Sequence, residues 1–166
     1  GSTNLFKIAE VTQNLGAQSN PLLLMGLVLL IIGFGFKVAS VPFHMWSPDV
    51  YQGAPTPVTA FMSVGPKAAA FAAFFRVFAE AFPAMSPSWE LLLTIIAVLS
   101  MFFGNLGAIM QTNIKRMLAF SSISHAGFLI MAVITKTSLA GSSLLFYMLA
   151  YSFTTFGIFG IVILLG

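Results

Sequence analysis

Five apolar runs, each long enough to cross a lipid bilayer, constrain this chain more than any other feature. They cover about residues 21–46, 57–82, 88–110, 117–134 and 140–165, with short polar breaks between them. A hydrocarbon core ~30 Å thick takes about 20 mostly apolar residues of helix, and a helix satisfies its own backbone there. Of the 166 residues 58% are hydrophobic and only 7% charged, where a soluble domain is about a quarter charged. The fold class that follows is an all-α integral membrane protein with about five transmembrane helices. Apolar runs that recur to the end of the chain exclude a signal peptide or a single anchor. Residues 1–20 read as a polar connector in which Leu5, Ile8, Ala9 and Thr12 share a helical face, and residues 21–166 as the transmembrane bundle. With Gly1 in place of a methionine and an apolar helix running to Gly166, the chain reads as an internal piece of a longer membrane subunit.

Composition also excludes several chemistries. There is no cysteine, so no thiolate-held iron–sulfur cluster or disulfide is expected within this chain. The net charge of +3 is scattered, with no basic run suited to nucleic acid. GFGF at 33–36 lies inside an apolar run and lacks the spacing of a phosphate-binding glycine loop. Pro21 and Pro57 stand at helix starts, where a missing N–H does no harm. Trp46, Tyr51 and Trp89 stand at helix ends and read as interfacial aromatics. Short connections make successive helices antiparallel. Lys115 and Arg116 then share one membrane surface with the 47–56 loop, and Lys7, Arg76 and Lys136 the other, a distribution too even to orient the chain.

Two lysines sit inside this apolar pattern. Lys37 is nine positions before Trp46, and Lys67 is ten after Pro57. At 1.5 Å per helical residue both amines lie roughly 13–15 Å from the shared loop, about the middle of a ~30 Å core. A lysine there costs on the order of 2.5–3.5 kcal/mol even on the lenient insertion scale. Pro42 has no N–H and its ring opposes the carbonyl of Val38, so the first helix should be discontinuous just after Lys37. A break at that depth must face protein or water. Gly33, Lys37, Ser40 and His44 fall on one helical face, which is therefore expected to be interior. Thr59, Ser63 and Lys67 repeat the spacing on the second helix. On the fourth, His125 is nine residues past Arg116, with Ser121 one turn back.

Three titratable groups at one depth point to proton transfer along Lys37, Lys67 and His125, with His44, Ser63, Ser121, Tyr147 and Tyr151 as further candidates. Simpler roles compete. The stripe Ser143, Tyr147, Tyr151 and Thr154 suits interhelical hydrogen bonding, and a buried lysine can be a mere ion-pair member, although such pairs stabilise poorly. Arg76 with Glu80 reads as a structural pair, Asp49 as a turn residue, Asn113 as a helix cap, and Ser100, Gly104 and Gly107 as a close-packing face. Glu10, Asp49, Glu80 and Glu90 all lie near the surfaces, so a counter-charge for Lys37 must come from outside this chain or from water.

The runs FKVASVPFHMWSPDVYQGAPTPVTAFMSVGPKAAA (36–70) and GNLGAIMQTNIKRMLAFSSISHAG (104–127) resemble the antiporter-like membrane subunits of respiratory complex I, bacterial NADH:quinone oxidoreductase, and among them the subunit N family. The resemblance implies an inverted-repeat, antiporter-like fold of about fourteen helices, of which these would be the seventh to eleventh. It matches Lys37 to the lysine of the discontinuous seventh helix and Lys67 to that of the eighth. The partner glutamate and a further lysine would lie on helices outside this chain. It implies a proton-translocating, non-redox subunit of the enzyme, driven by quinone reduction elsewhere. NADH, FMN, iron–sulfur clusters and quinone would belong to partner subunits. The implied partners are other membrane-arm subunits, the rest of the same subunit and the lipid bilayer. The implied location is the bacterial inner (plasma) membrane, with the 47–56 loop cytoplasmic. A subunit of a multisubunit cation/proton antiporter and a structural membrane scaffold stand as alternatives; VYQGAPTPV and SISH favour the subunit N family.

Overall fold

The computed structural model describes residues 2–14, 20–135 and 137–165; Lys136 and part of the 1–20 connector lie outside them. The described residues form an all-helical bundle. A surface helix α1 (Leu5–Asn14) precedes α2 (Pro21–Val38), a short α3 (Trp46–Gly53), α4 (Thr56–Arg76), α5 (Ser86–Ile109), α6 (Ile114–Ile134) and α7 (Ala140–Leu165). A π-helical turn (Val77–Ala81) and a 3₁₀ turn (Pro83–Met85) join α4 to α5. Five of these segments are long and apolar enough to cross a membrane: Pro21–Val38, Thr56–Ala81, Pro83–Ile109, Ile114–Ile134 and Ala140–Leu165.

Asparagine side chains cap the starts of α2 and α6. Asn20 accepts from Leu22 N–H at 3.1 Å with Pro21 in the first turn of α2, and Asn113 accepts from Arg116 N–H at 3.1 Å at the start of α6. Leu5 and Ile8 of α1 pack on the core, and buried Thr12 donates to the Ala81 carbonyl at 3.3 Å, so the amphipathic face expected of the connector is the one that docks. Arg76 and Glu80 pair at 3.1 Å on the surface as expected.

The core holds an aromatic stack that runs from Phe34 through Phe74 (4.8 Å between centroids) and Phe78 to Trp89 (5.3 Å). Here the structure departs from expectation. Trp89 and Tyr51 are not interfacial: they are 3% and 2% exposed. Trp89 donates its indole N–H to the Phe82 carbonyl at 3.0 Å, the partner a buried indole needs. Large apolar side chains such as Leu22, Phe61, Leu91, Phe146 and Leu164 point outward, as suits a lipid solvent.

Helices α5 and α6 approach until their backbones touch. A Cβ on Gly104 would lie 2.6 Å from Ser124 N, and one on Gly127 would lie 2.7 Å from the Ala97 carbonyl oxygen. Small residues allow this approach, and in a membrane such packing replaces the hydrophobic drive that lipid removes.

Candidate functional site

The break expected after Lys37 is present, but it is sharper than a proline kink. Helix α2 stops at Val38, and Ala39 adopts a left-handed conformation at φ 57°. Ser40 N–H then bonds back to the Gly35 carbonyl at 2.9 Å and Ala39 N–H to that of Phe36 at 3.2 Å. This pair of bonds is the Schellman closure, usually built on glycine. Pro42 follows in the turn rather than inside a helix, so its clash with Val38 is avoided, not suffered. Phe43 lies so close over Gly35 that a Cβ there would meet its ring at 2.8 Å. The Trp46 indole donates across the break to the Phe36 carbonyl at 3.0 Å. His44 is half-buried in the turn, its carbonyl accepting from Ser47 N–H at 3.0 Å.

This ending breaks up the expected shared face. Gly33 and Lys37 are exposed on the described chain, whereas Leu27, Ile31, Gly35 and Val38 form the buried face of α2. The left-handed residue takes Ser40 and His44 out of helical register, so the four residues no longer share a face. Beyond the break, α3 is tied to the start of α6. The Arg116 guanidinium pairs with Asp49 and reaches Gln52 at 3.1 Å, and the Lys115 ammonium donates to the Ala54 carbonyl at 2.9 Å.

Lys67 lies on α4 and is 4% exposed. Its ammonium donates to both the carbonyl (2.7 Å) and the hydroxyl of Ser122 on α6. Tyr151 on α7 donates to the same hydroxyl at 2.9 Å, and its ring lies 5.0 Å from that of His125. His125 Nδ1 shares a 2.7 Å hydrogen bond with the Tyr147 hydroxyl. Three helices thus meet through side-chain oxygens and nitrogens in one polar seam.

Two spaces flank that seam. A groove of about 370 Å³ is bordered by Lys37, Val38, Trp46, Tyr51, Met62 and Lys67. A second cavity of about 240 Å³ is lined by Ser63, Ser121, His125, Tyr147, Tyr151 and Thr154 among others. The structure therefore brings Lys37 to the same groove as Lys67, and His125, Ser63, Ser121 and both tyrosines to one cavity. Ser63 donates to the Ala60 carbonyl at 2.7 Å, so its hydroxyl proton is spent on its own helix.

The residue that sequence reasoning missed is Ser122. Its neighbour Ser121 has the right spacing to His125, but Ser122 is the one that meets Lys67. A helix buried on most sides offers no apolar stripe from which to read its rotation. Chemically, a lysine held by one carbonyl and one hydroxyl and bordering the groove can give up a proton as ammonium, or take one as amine, through adjacent hydroxyls or water.

Comparisons with known proteins agree with this architecture. Residues 1–165 match the family model described as NADH:quinone oxidoreductase/Mrp antiporter, TM. The chain is 53% identical over 166 residues to NADH-quinone oxidoreductase subunit N of Trichlorobacter lovleyi, covering 100% of this chain and 34% of the relative. It is similar to a chain of respiratory complex I from Thermus thermophilus with bound aureothin, at 46% identity and TM-score 0.66, covering 82% of this chain and 30% of that one. It shares its fold with a chain of the Mrp complex from Dietzia, at TM-score 0.83 and 23% identity, covering 96% of this chain and 29% of that one. The chain spans about a third of the length of the curated relatives it matches.

Proposed function

The chain belongs to the NADH:quinone oxidoreductase/Mrp antiporter transmembrane family, and from that premise we propose that it is part of a proton-translocating subunit of an NADH:quinone oxidoreductase, of the subunit N type. The 53% identity to a protein named for that subunit supports this over a cation antiporter, to which the likeness is one of fold. In this proposal the subunit has no redox site of its own. NADH, FMN, iron–sulfur clusters and quinone reside in partner subunits, and the chain works among other membrane-arm subunits in a bacterial inner membrane. It works together with the rest of its own subunit.

The observation that carries the proposal is Lys67, buried among apolar helices yet hydrogen-bonded to Ser122 and through it to Tyr151. A lysine buried this deeply costs several kcal/mol, and a structural need for packing is met more cheaply by a methionine. Lys37, on the last turn before the break, supplies protons through the shared groove. Lys67, held by Ser122, whose hydroxyl Tyr151 braces in turn, passes them through water towards His125 and Tyr147.

Lys37→Ala in the intact complex tests this. Proton translocation per electron in inverted membrane vesicles is expected to fall severalfold, with NADH oxidation by an artificial acceptor unchanged. An unchanged ratio is what a structural scaffold predicts, and sodium uptake without NADH is what an antiporter predicts. Tyr151→Phe removes the neutral hydrogen bond to Ser122, worth about 1 kcal/mol, so its expected effect on the same ratio is about fivefold.

A further inference from the structure

We propose that Ser100, on the largely apolar α5, is the positioning residue that fixes the break beside Lys37; this rests on Lys37 acting as a proton carrier. The turn carries several backbone polar groups that need partners. Most are satisfied locally: Ser40 N–H and its hydroxyl both reach the Gly35 carbonyl (2.9 and 3.3 Å), Ala39 N–H reaches Phe36, and the Trp46 indole closes on the same carbonyl. Val41 N–H is different. It donates to Ser100 Oγ at 2.9 Å, the one hydrogen bond among the described residues that reaches residues 39–45 from another membrane-spanning helix.

Ser100 is built for this. It is 0% exposed, and its hydroxyl donates to the Ile96 carbonyl one turn back at 2.7 Å. With its single proton committed there, the oxygen presents only lone pairs to Val41, the polarity a backbone N–H requires. Its position is equally fixed, because Ala97 and Gly104 on the same helix are locked against the α6 backbone. Lipid offers no substitute acceptor at this depth, so an unpaired N–H there is strongly unfavourable. The turn that Ser100 holds closes back on the carbonyls of Gly35 and Phe36, the two residues just before Lys37. Losing the hydroxyl therefore loosens the lysine's anchor, not the lysine itself.

The test uses Ser100→Ala in the intact complex. Amide exchange in the 38–46 segment is expected to quicken about tenfold or more, as loss of one buried hydrogen bond implies, with α6 unchanged. The proton-to-electron ratio should fall severalfold while NADH oxidation by an artificial acceptor holds. In a Lys37→Ala background, adding Ser100→Ala should cause no further loss of pumping. If Ser100→Ala prevents assembly, Ser100→Cys keeps nearly the same volume with a poorer acceptor, and faster exchange in the same segment is expected. Unchanged exchange in the 38–46 segment overturns the proposal, as does a further loss of pumping in the Lys37→Ala background. Should exchange quicken while Lys37→Ala itself pumps normally, the proton-carrier role fails and the hold of Ser100 on the turn stands.

Discussion

Replacing Lys67 by methionine in the intact complex is expected to cut proton translocation by about tenfold or more while leaving the complex assembled. The two side chains have similar length and volume, so the packing between α4, α6 and α7 survives. What disappears is the donor that holds the Ser122 carbonyl and hydroxyl. A barrier change of about 1.4 kcal/mol suffices for a tenfold effect, and one hydrogen bond from a charged group is worth about 1.5–3 kcal/mol. Lys67→Arg should not restore pumping. A guanidinium is planar, larger and does not release its proton, whereas the Ser122 site presents one carbonyl and one hydroxyl to a compact ammonium. The measurement is acidification of inverted vesicles per NADH oxidised. Full pumping by Lys67→Met would remove the amine from the path.

Gly104→Val is expected to deplete the assembled subunit from the membrane severalfold. The added Cβ would stand 2.6 Å from Ser124 N and 2.9 Å from its Cα, both backbone atoms that no rotamer change can move. Overpacking of this kind costs about 1–3 kcal/mol where side chains can yield; here whole helices must separate. That separation also draws Ser100 away from Val41 and Ser122 away from Lys67, since α5 and α6 carry them. Gly107→Ala is the comparison. Its Cβ would meet Phe120 at 2.4 Å, but the obstacle is a ring that can swing aside, so the loss should be smaller. Immunoblot of membranes and thermal inactivation of the complex check both variants, and equal, near-normal levels would show that the α5–α6 contact tolerates expansion.

Ser100 shows how far a one-dimensional pattern reaches. Its small size, with Gly104 and Gly107, marks a packing face correctly, yet the hydrogen bond to Val41 joins residues 59 positions apart. No spacing rule links them. The break itself was legible from Pro42, but its form was not, because the residue in the left-handed region is Ala39 and not a glycine. Tyr51 and Trp89 were misplaced for a related reason: an aromatic near a helix end fits both a headgroup belt and a protein interior, and only neighbours choose between them.

By itself, then, the sequence determined the number of spans, the Asn113 cap, the place of the break, and that Lys37 and Lys67 stand at similar distances from one loop. Each depends on hydropathy summed over a stretch of chain or on residues within a turn of one another. Tertiary structure alone decided which side of each helix faces its neighbours, and so chose Ser122 over Ser121 as the partner of Lys67 and opened Lys37 to the groove. In lipid, apolar side chains are equally at home against tails or against other helices. Hydrophobicity therefore sets no rotation, and the close approach of small residues such as Gly104 and Gly127 sets it instead.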